Sequence, residues 1–239
     1  MHKAPGFKII ILIFFIFILS IILYSVWYFQ IEKITTHELK SIQKSLLNKN
    51  IELTWEQTIE SGFPYRIEKE LNNVNLKFHN TQFSTKILKI IYQPWNKKHI
   101  IFLIPNDINI HNIKKKITIH NSKILASLTI DKFSKGRISI VSDKIIFNLK
   151  KNIYDLRKIE MHLQTNKTDN LQFAIFMEKL SLPPVFIKKN TINKFHINGD
   201  ILKYKNFDTN NYLVWLSEEG GIQIENFKLD ISETNIIGN

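Results

Sequence analysis

Asn73-Val74-Asn75-Leu76-Lys77-Phe78 alternates polar and apolar residues without a break. Successive side chains of a strand point to opposite faces, so this stretch has one wet face and one apolar face. The rule extends outward on both sides. Ile51, Leu53 and Trp55 precede it with the same period. After it come Ile117 and Ile119; Ile124, Ala126, Leu128 and Ile130; Ile138 and Ile140; Ile159, Met161 and Leu163; Leu171, Phe173, Ile175 and Met177. Runs of this kind, rich in β-branched residues and bounded by Asn, Asp, Lys and Gly clusters, predict roughly ten strands.

Short polar links join these runs, whereas parallel neighbours need crossovers of about a dozen residues or more. The sheet is therefore expected to be antiparallel. Two short helices are predicted within it, around Tyr154 to Lys158 and from Asn210 to Glu219, the second ending at Gly220-Gly221 as at a glycine C-cap. So few helices leave no helical layer to cover the apolar face, which must meet a second sheet, a closed barrel wall or a ligand. The expected fold class is mainly β: an N-terminal transmembrane helix followed by an extended, twisted antiparallel sheet, as an open trough or a sandwich, with few short helices.

The anchor is read from Ile9 to Phe29, 21 consecutive residues without a charge. A helix of that length rises about 30 Å, the hydrocarbon thickness of a bilayer. Tyr24, Trp27 and Tyr28 gather at its C-terminal end, where amphipathic rings favour the headgroup layer. A cleaved signal peptide would have a shorter apolar core and a small-residue cleavage site, which Ser25-Val26-Trp27-Tyr28 does not supply. Beyond the span, Ile31, Ile34, Leu39, Ile42 and Leu46 keep a helical period. The chain thus divides into a cytoplasmic N-terminus (1–8), an anchor (9–29), a juxtamembrane helix (30–48) and a β-rich periplasmic domain (49–239).

Charge does not settle the orientation. Lys3 and Lys8 precede the span, but Lys33, Lys40, Lys44 and Lys49 follow it. Long domains translocate largely regardless of such charges, so the N-terminus is expected inside and the domain exported across a bacterial inner membrane. The absence of cysteine is compatible with that compartment. The formal net charge of +12 and pI of about 9.6 suit an anionic headgroup surface. Lys, Asn and Ile are abundant and Arg is scarce, as an AT-rich genome would dictate. No Lys/Arg block exceeds Lys114-Lys115-Lys116, and nucleic acid, which would require the opposite topology, is not an expected partner.

The chemical motifs point to no reaction. His37-Glu38 lacks the second His of a zinc-protease helix, and no nucleophile elbow, phosphate-binding glycine loop or dinucleotide fingerprint occurs. His79, His99, His111, His120, His162 and His196 are spread over separate predicted strands. No enzyme activity, catalytic residue, cofactor or metal is expected.

Four segments recur in a familiar order. Ser61-Gly62-Phe63-Pro64-Tyr65-Arg66 follows Trp55; then come Tyr92-Gln93-Pro94-Trp95-Asn96-Lys97-Lys98-His99-Ile100, Ala126-Ser127-Leu128, and Trp215-Leu216 leading to Gly220-Gly221. Together with the anchor, they resemble the bacterial family called domain of unknown function 2125, found mainly in alphaproteobacteria. The positions carrying the resemblance are Trp55, Gly62, Phe63, Pro64, Arg66, Pro94, Asn96, His99, Ala126, Ser127, Trp215, Gly220 and Gly221. Their physical readings are structural. Gly62 permits a strand-to-strand corner with Phe63 as a core plug, and Pro64 keeps Phe63 extended. Arg66 can pair with Glu68 or Glu70, or contact a lipid phosphate. Trp95 reads as an edge-strand packing residue and His99 as a surface or core histidine.

Members of that family continue past the Gly-Gly strand through a Trp-Gly-Pro-like turn, whereas this chain reads Ile231-Ser232-Glu233-Thr234-Asn235 and stops at Asn239. The resemblance implies either a shortened protein or missing C-terminal strands. It carries no activity, but its likeness to long β-sheet envelope proteins of the AsmA type implies lipid handling. The expected partners are the membrane through 9–29 and phospholipid or another hydrophobic chain. The alternative is an assembly factor contacting envelope proteins through sheet edges, and an enzyme comes last.

Overall fold

A computed structural model describes residues 5–112, 115–130, 136–149, 152–165, 170–181, 191–207, 212–231 and 234–238. Met1 to Ala4, Lys114, Asn210 and Asn211, and Ser232-Glu233 lie outside the described residues. Helix α1 (Pro5–Leu47) runs unbroken through the predicted anchor and juxtamembrane segments. Its end is set by Asn50, whose left-handed backbone (φ 59) turns the chain into the sheet.

Fifteen strands follow: β1 (Ile51–Thr54), β2 (Gln57–Ser61), β3 (Ile67–Phe78), β4 (Thr81–Gln93), β5 (Asn96–Ile104), β6 (Ile108–Asn112), β7 (Lys115–Asn121), β8 (Ile124–Ile130), β9 (Gly136–Leu149), β10 (Asn152–Thr165), β11 (Leu171–Ser181), β12 (Thr191–Ile192), β13 (Lys194–Leu202), β14 (Gly221–Ile231) and β15 (Thr234–Gly238). All belong to one antiparallel sheet. Two of the strands beyond the roughly ten expected arise because long strands are interrupted: Pro105 to Asp107 separate β5 from β6, and Ser122-Lys123 separate β7 from β8. Strand β4 accordingly pairs with both β5 and β6, and β9 with both β7 and β8. The sheet is a meander, each long strand beside its predecessor, and it is open, since its two ends do not pair. A two-sheet sandwich is not formed by the described residues.

The predicted helix at Tyr154 to Lys158 is instead part of β10. Lys158 has φ 47 and pairs with neither neighbouring strand, while Arg157 and Ile159 pair on both sides. Apolar residues occupy odd positions beyond it (Ile159, Met161, Leu163) and even ones before it (Tyr154, Leu156). That change of phase mimics a helical period. Asn73, at φ 52, does the same in β3, between Leu71 and Val74.

The second helix is found as α2 (Tyr212–Ser217). The left-handed residue after it is Glu219 (φ 65), not a glycine. Gly220 is required for a different reason, because a Cβ there would lie 2.3 Å from the Trp215 indole. Trp215 is buried, and its Nε1 donates to the carbonyls of Leu202 and Lys203, both at 3.1 Å.

The core lies at one end of the sheet, under the C-terminal half of α1. Tyr28, Ile67, Leu71, Val74, Ile90 and Tyr92 are buried there, with Leu39, Leu53, Leu88, Ile100 and Phe102 packed against them. The predicted helical period from Ile31 to Leu46 therefore forms the one helical cover of the sheet among the described residues. Gln43 Nε2 donates to the Leu53 carbonyl (2.7 Å) and ties that cover to β1.

Candidate functional site

Between α1 and β1, β3, β4 and β5 lies a cavity of about 350 Å³, within the size range of small-molecule sites. Leu39, Ile42 and Leu46 roof it, while Leu53, Leu71, Leu76, Leu88, Ile90, Ile100 and Phe102 form its floor. Thr35, Glu38, Lys69 and Tyr92 are the polar residues at its wall. The Tyr92 hydroxyl is buried beside the Thr35 side chain. The Thr35 hydroxyl donates to the Glu32 carbonyl (2.7 Å), which leaves its oxygen able to accept from Tyr92. Burial pushes the Tyr92 phenol above its ordinary range, so it remains a neutral O–H facing an apolar space.

Lys69 is 1 % exposed, an exceptional place for an ammonium group. It is neutralised by Glu60 on β2, and its Nζ also donates to Thr36 Oγ1 on α1 (2.7 Å). Thr36 Oγ1 in turn donates to Glu60 Oε1 (2.8 Å). Burial alone would raise the Glu60 carboxyl, but the hydrogen bonds from Lys69 and Thr36 outweigh it and hold the group below the usual carboxylate range. Burial, reinforced by the Glu60 charge, holds Glu32 above that range. On the opposite face Lys89 bonds Glu68 (2.8 Å) and Glu70 (2.9 Å), which raise its ammonium pKa.

Register connects this cluster to the rest of the sheet. Glu60 pairs with Lys69, Lys69 with Ile90, and the row continues through Phe102, Ala126, Ile140, Met161, Ile175, Ile197 and Phe227 to Gly238. The row beside it reads Ile67, Tyr92, Ile100, Leu128, Ile138, Leu163, Phe173 and Gly199. A further row runs Ile104, Ile124, Ser142, Ile159, Met177, Phe195, Leu229 and Ile236. At about 4.8 Å per strand, the first row spans roughly 48 Å.

The other face is mixed: Ser127, Ser139, His162, Ala174, Asn198 and Asn226 share one of its rows, while Leu103, Leu125, Val141, Glu160, Phe176, His196, Lys228 and Ile237 share another. From β8 onward no strand has a buried hydrophobic side chain; Ile138 and Ile236 are exposed, and the other apolar members of these rows are only half-buried. The apolar band thus starts in a helix-covered cavity and continues with no helix over it among the described residues. Contiguous apolar surface is seldom left exposed over a large area by monomeric soluble proteins.

Of the residues in the four motif segments, Tyr92 and Ile100 line the cavity and the others do not. Trp55 packs at the core margin, its Nε1 donating to Thr58 Oγ1 (2.9 Å). Gly62 has φ +104 and starts the corner that carries Phe63, Pro64 and Arg66. Phe63 is not a core plug: it is half-exposed and packs on α1, stacked against Phe29 (5.8 Å) and edge-on to Tyr28 (5.0 Å). Arg66 pairs with Glu68 at 2.9 Å. Pro94 is buried, but Trp95 occupies the β4–β5 turn and is exposed, so it is not an edge-strand packing residue. Asn96 opens β5 opposite Gln93, and His99 is half-buried opposite Thr129. Ala126 lies on the apolar row and Ser127 on the polar one, while Gly221 opens β14. No group of three or more His, Asp or Glu side chains suited to a metal occurs among the described residues.

Lys69, Glu60 and Thr36 were not singled out by the sequence, although a lysine between Ile67 and Leu71, on the inward side of an alternating run, was a signal for them; Tyr92 stood in a motif segment but with no role assigned to it. The fold defines a single-sheet β-protein whose N-terminal helix is long and apolar enough to cross a membrane. The family described as "uncharacterized protein conserved in bacteria (DUF2125)" matches residues 40–235, and the chain belongs to it. No curated protein and no solved structure matches the chain.

Proposed function

We propose that this protein is a membrane-anchored component of the bacterial envelope that holds or passes an acyl chain along the apolar face of its sheet. The continuous band leading from the covered cavity onto the open strands carries this reading. Apolar surface of this extent is expected to be covered by a ligand, a membrane or a partner. The cavity suits a chain end, and the Tyr92 hydroxyl offers one polar contact inside it.

Vesicles containing the full chain and a phospholipid with a photoactivatable acyl chain test the proposal. Adducts are expected in the anchor, in β3 to β5 and in β8 to β11. Leu128→Arg, on the uncovered part of the band, is expected to lower adducts from β8 onward several-fold while the β-sheet circular dichroism persists, since a half-exposed arginine can extend its head to water. Adducts confined to residues 9–29 in a folded protein would leave the assembly-factor reading ahead.

The proposed topology places the N-terminus in the cytoplasm and the sheet in the periplasm of the inner membrane. A periplasmic reporter joined after Asn239 should be active and a cytoplasmic one silent; the reverse pattern overturns this orientation.

A further inference from the structure

The chain turns back at Gly62 to Arg66 in an irregular corner whose backbone polar groups are satisfied in an unusual way. Within the corner, the amides of Tyr65 and Arg66 both donate to the Gly62 carbonyl, at 3.2 and 3.1 Å. Two of its outward carbonyls are capped by the anchor helix: the Tyr24 hydroxyl donates to the Pro64 carbonyl, and the Tyr28 hydroxyl to the Arg66 carbonyl (2.9 Å). Irregular backbone tolerates lipid only where its polar groups are satisfied by protein.

Depth along α1 places this corner. Counting from Ile9, Tyr24 and Tyr28 lie roughly 22 and 28 Å along the helix axis, against a hydrocarbon thickness of about 30 Å. The corner is therefore level with the headgroup boundary. At that level the domain presents aromatic rings to the outside: Phe63 is 50 % exposed and Tyr65 76 %. Register puts Trp95 at the same end of the sheet, because Ile67 pairs with Tyr92 and the Pro94-Trp95 turn lies just beyond. Trp95 is 59 % exposed. Exposed Phe, Tyr and Trp at one strand end would be a liability in water, whereas amphipathic rings are favoured at a membrane interface.

We infer that Phe63, Tyr65 and Trp95 form a second membrane contact, an aromatic seat that rests in the phospholipid headgroup layer beside the anchor. The seat fixes the sheet upright on the bilayer, with the end of β3 to β5 toward the lipid. It depends on the anchor of the reading above and not on acyl-chain binding.

The chain contains no cysteine, so single thiols introduced by Tyr65→Cys or Trp95→Cys can each carry a nitroxide in the full protein, reconstituted in phosphatidylcholine and phosphatidylglycerol vesicles. Collisions with oxygen, which concentrates in the bilayer, are compared with collisions with a water-soluble nickel chelate. Ile16→Cys reports the anchor, and Ile153→Cys, exposed at the far end of β10, reports water. The oxygen-to-nickel ratio at positions 65 and 95 is expected to exceed that at 153 several-fold and to approach that at 16. Ratios at 65 and 95 equal to that at 153, with 16 reading lipid, would overturn the seat alone. A watery reading at 16 would overturn the anchor and the seat together. Both labelled positions are exposed, and either one reading water in a folded, anchored protein counts against the proposal.

Discussion

Glu60→Leu is expected to destabilise the domain by about 3–5 kcal/mol, whereas Lys69→Met costs only about 1–2 kcal/mol. The two halves of this ion pair differ in hydration: the Lys69 side chain is 1 % exposed and that of Glu60 36 %. Removing Glu60 leaves an ammonium group in the core with Thr36 Oγ1 as its remaining hydrogen-bond acceptor among the described residues, and with Glu32, itself held toward its neutral form by burial, as the nearby carboxyl. Leucine also fills the volume that water would need to reach the ammonium group. Removing Lys69 leaves a carboxylate that can rehydrate, and methionine preserves the packing of the lysine stem between Ile67 and Leu71. Lys69→Met combined with Glu60→Leu should recover most of the loss, since an apolar pair can replace a buried ionic one at little cost. Denaturant midpoints of the four proteins measure the cycle. Greater damage from Lys69→Met than from Glu60→Leu would mean that Glu60, not Lys69, is the charge the fold fails to hydrate.

Alternation revealed that most of the chain after Leu47 is strand, because each strand has one apolar face, and the short polar links between the runs revealed that the sheet is antiparallel. Neither could reveal where the alternation changes phase. Asn73 and Lys158 adopt left-handed backbone inside long strands, and nothing local demands it, so Tyr154 to Lys158 imitates a helix. The amphipathic helix from Ile31 to Leu46 was legible, but not its target, which depends on the register of β3, β4 and β5. Tyr24 and Tyr28 were legible as aromatic residues near the C-terminal end of the apolar run. Their acceptors, Pro64 and Arg66, lie 40 and 38 residues away and become visible only in the folded chain. The cavity was hidden for the same reason: its walls come from α1 and four strands, and no short motif marks it.

Gly62→Ala should cost about 3 kcal/mol and loosen the helix from the sheet. Two effects add. A φ of +104 is one that L side chains rarely adopt, and holding alanine there costs about 1–3 kcal/mol. The added Cβ would also lie 2.4 Å from the Arg66 carbonyl oxygen and 2.9 Å from its Cγ, closer than real Cβ atoms approach. Arg66 backbone must move, and its carbonyl is the acceptor for Tyr28, so relief of the overlap weakens the bond that ties α1 to the corner. Trypsin should then cut after Arg66 faster than in the parent chain. Gly221→Ala supplies the control: no atom lies within 4 Å of its added Cβ, and an unstrained change in a strand is expected to stay within about 0.5 kcal/mol of neutral. Equal midpoints for the two variants, with no faster cleavage at Arg66, would show that the corner bends without glycine and that its hold on α1 does not depend on this backbone path.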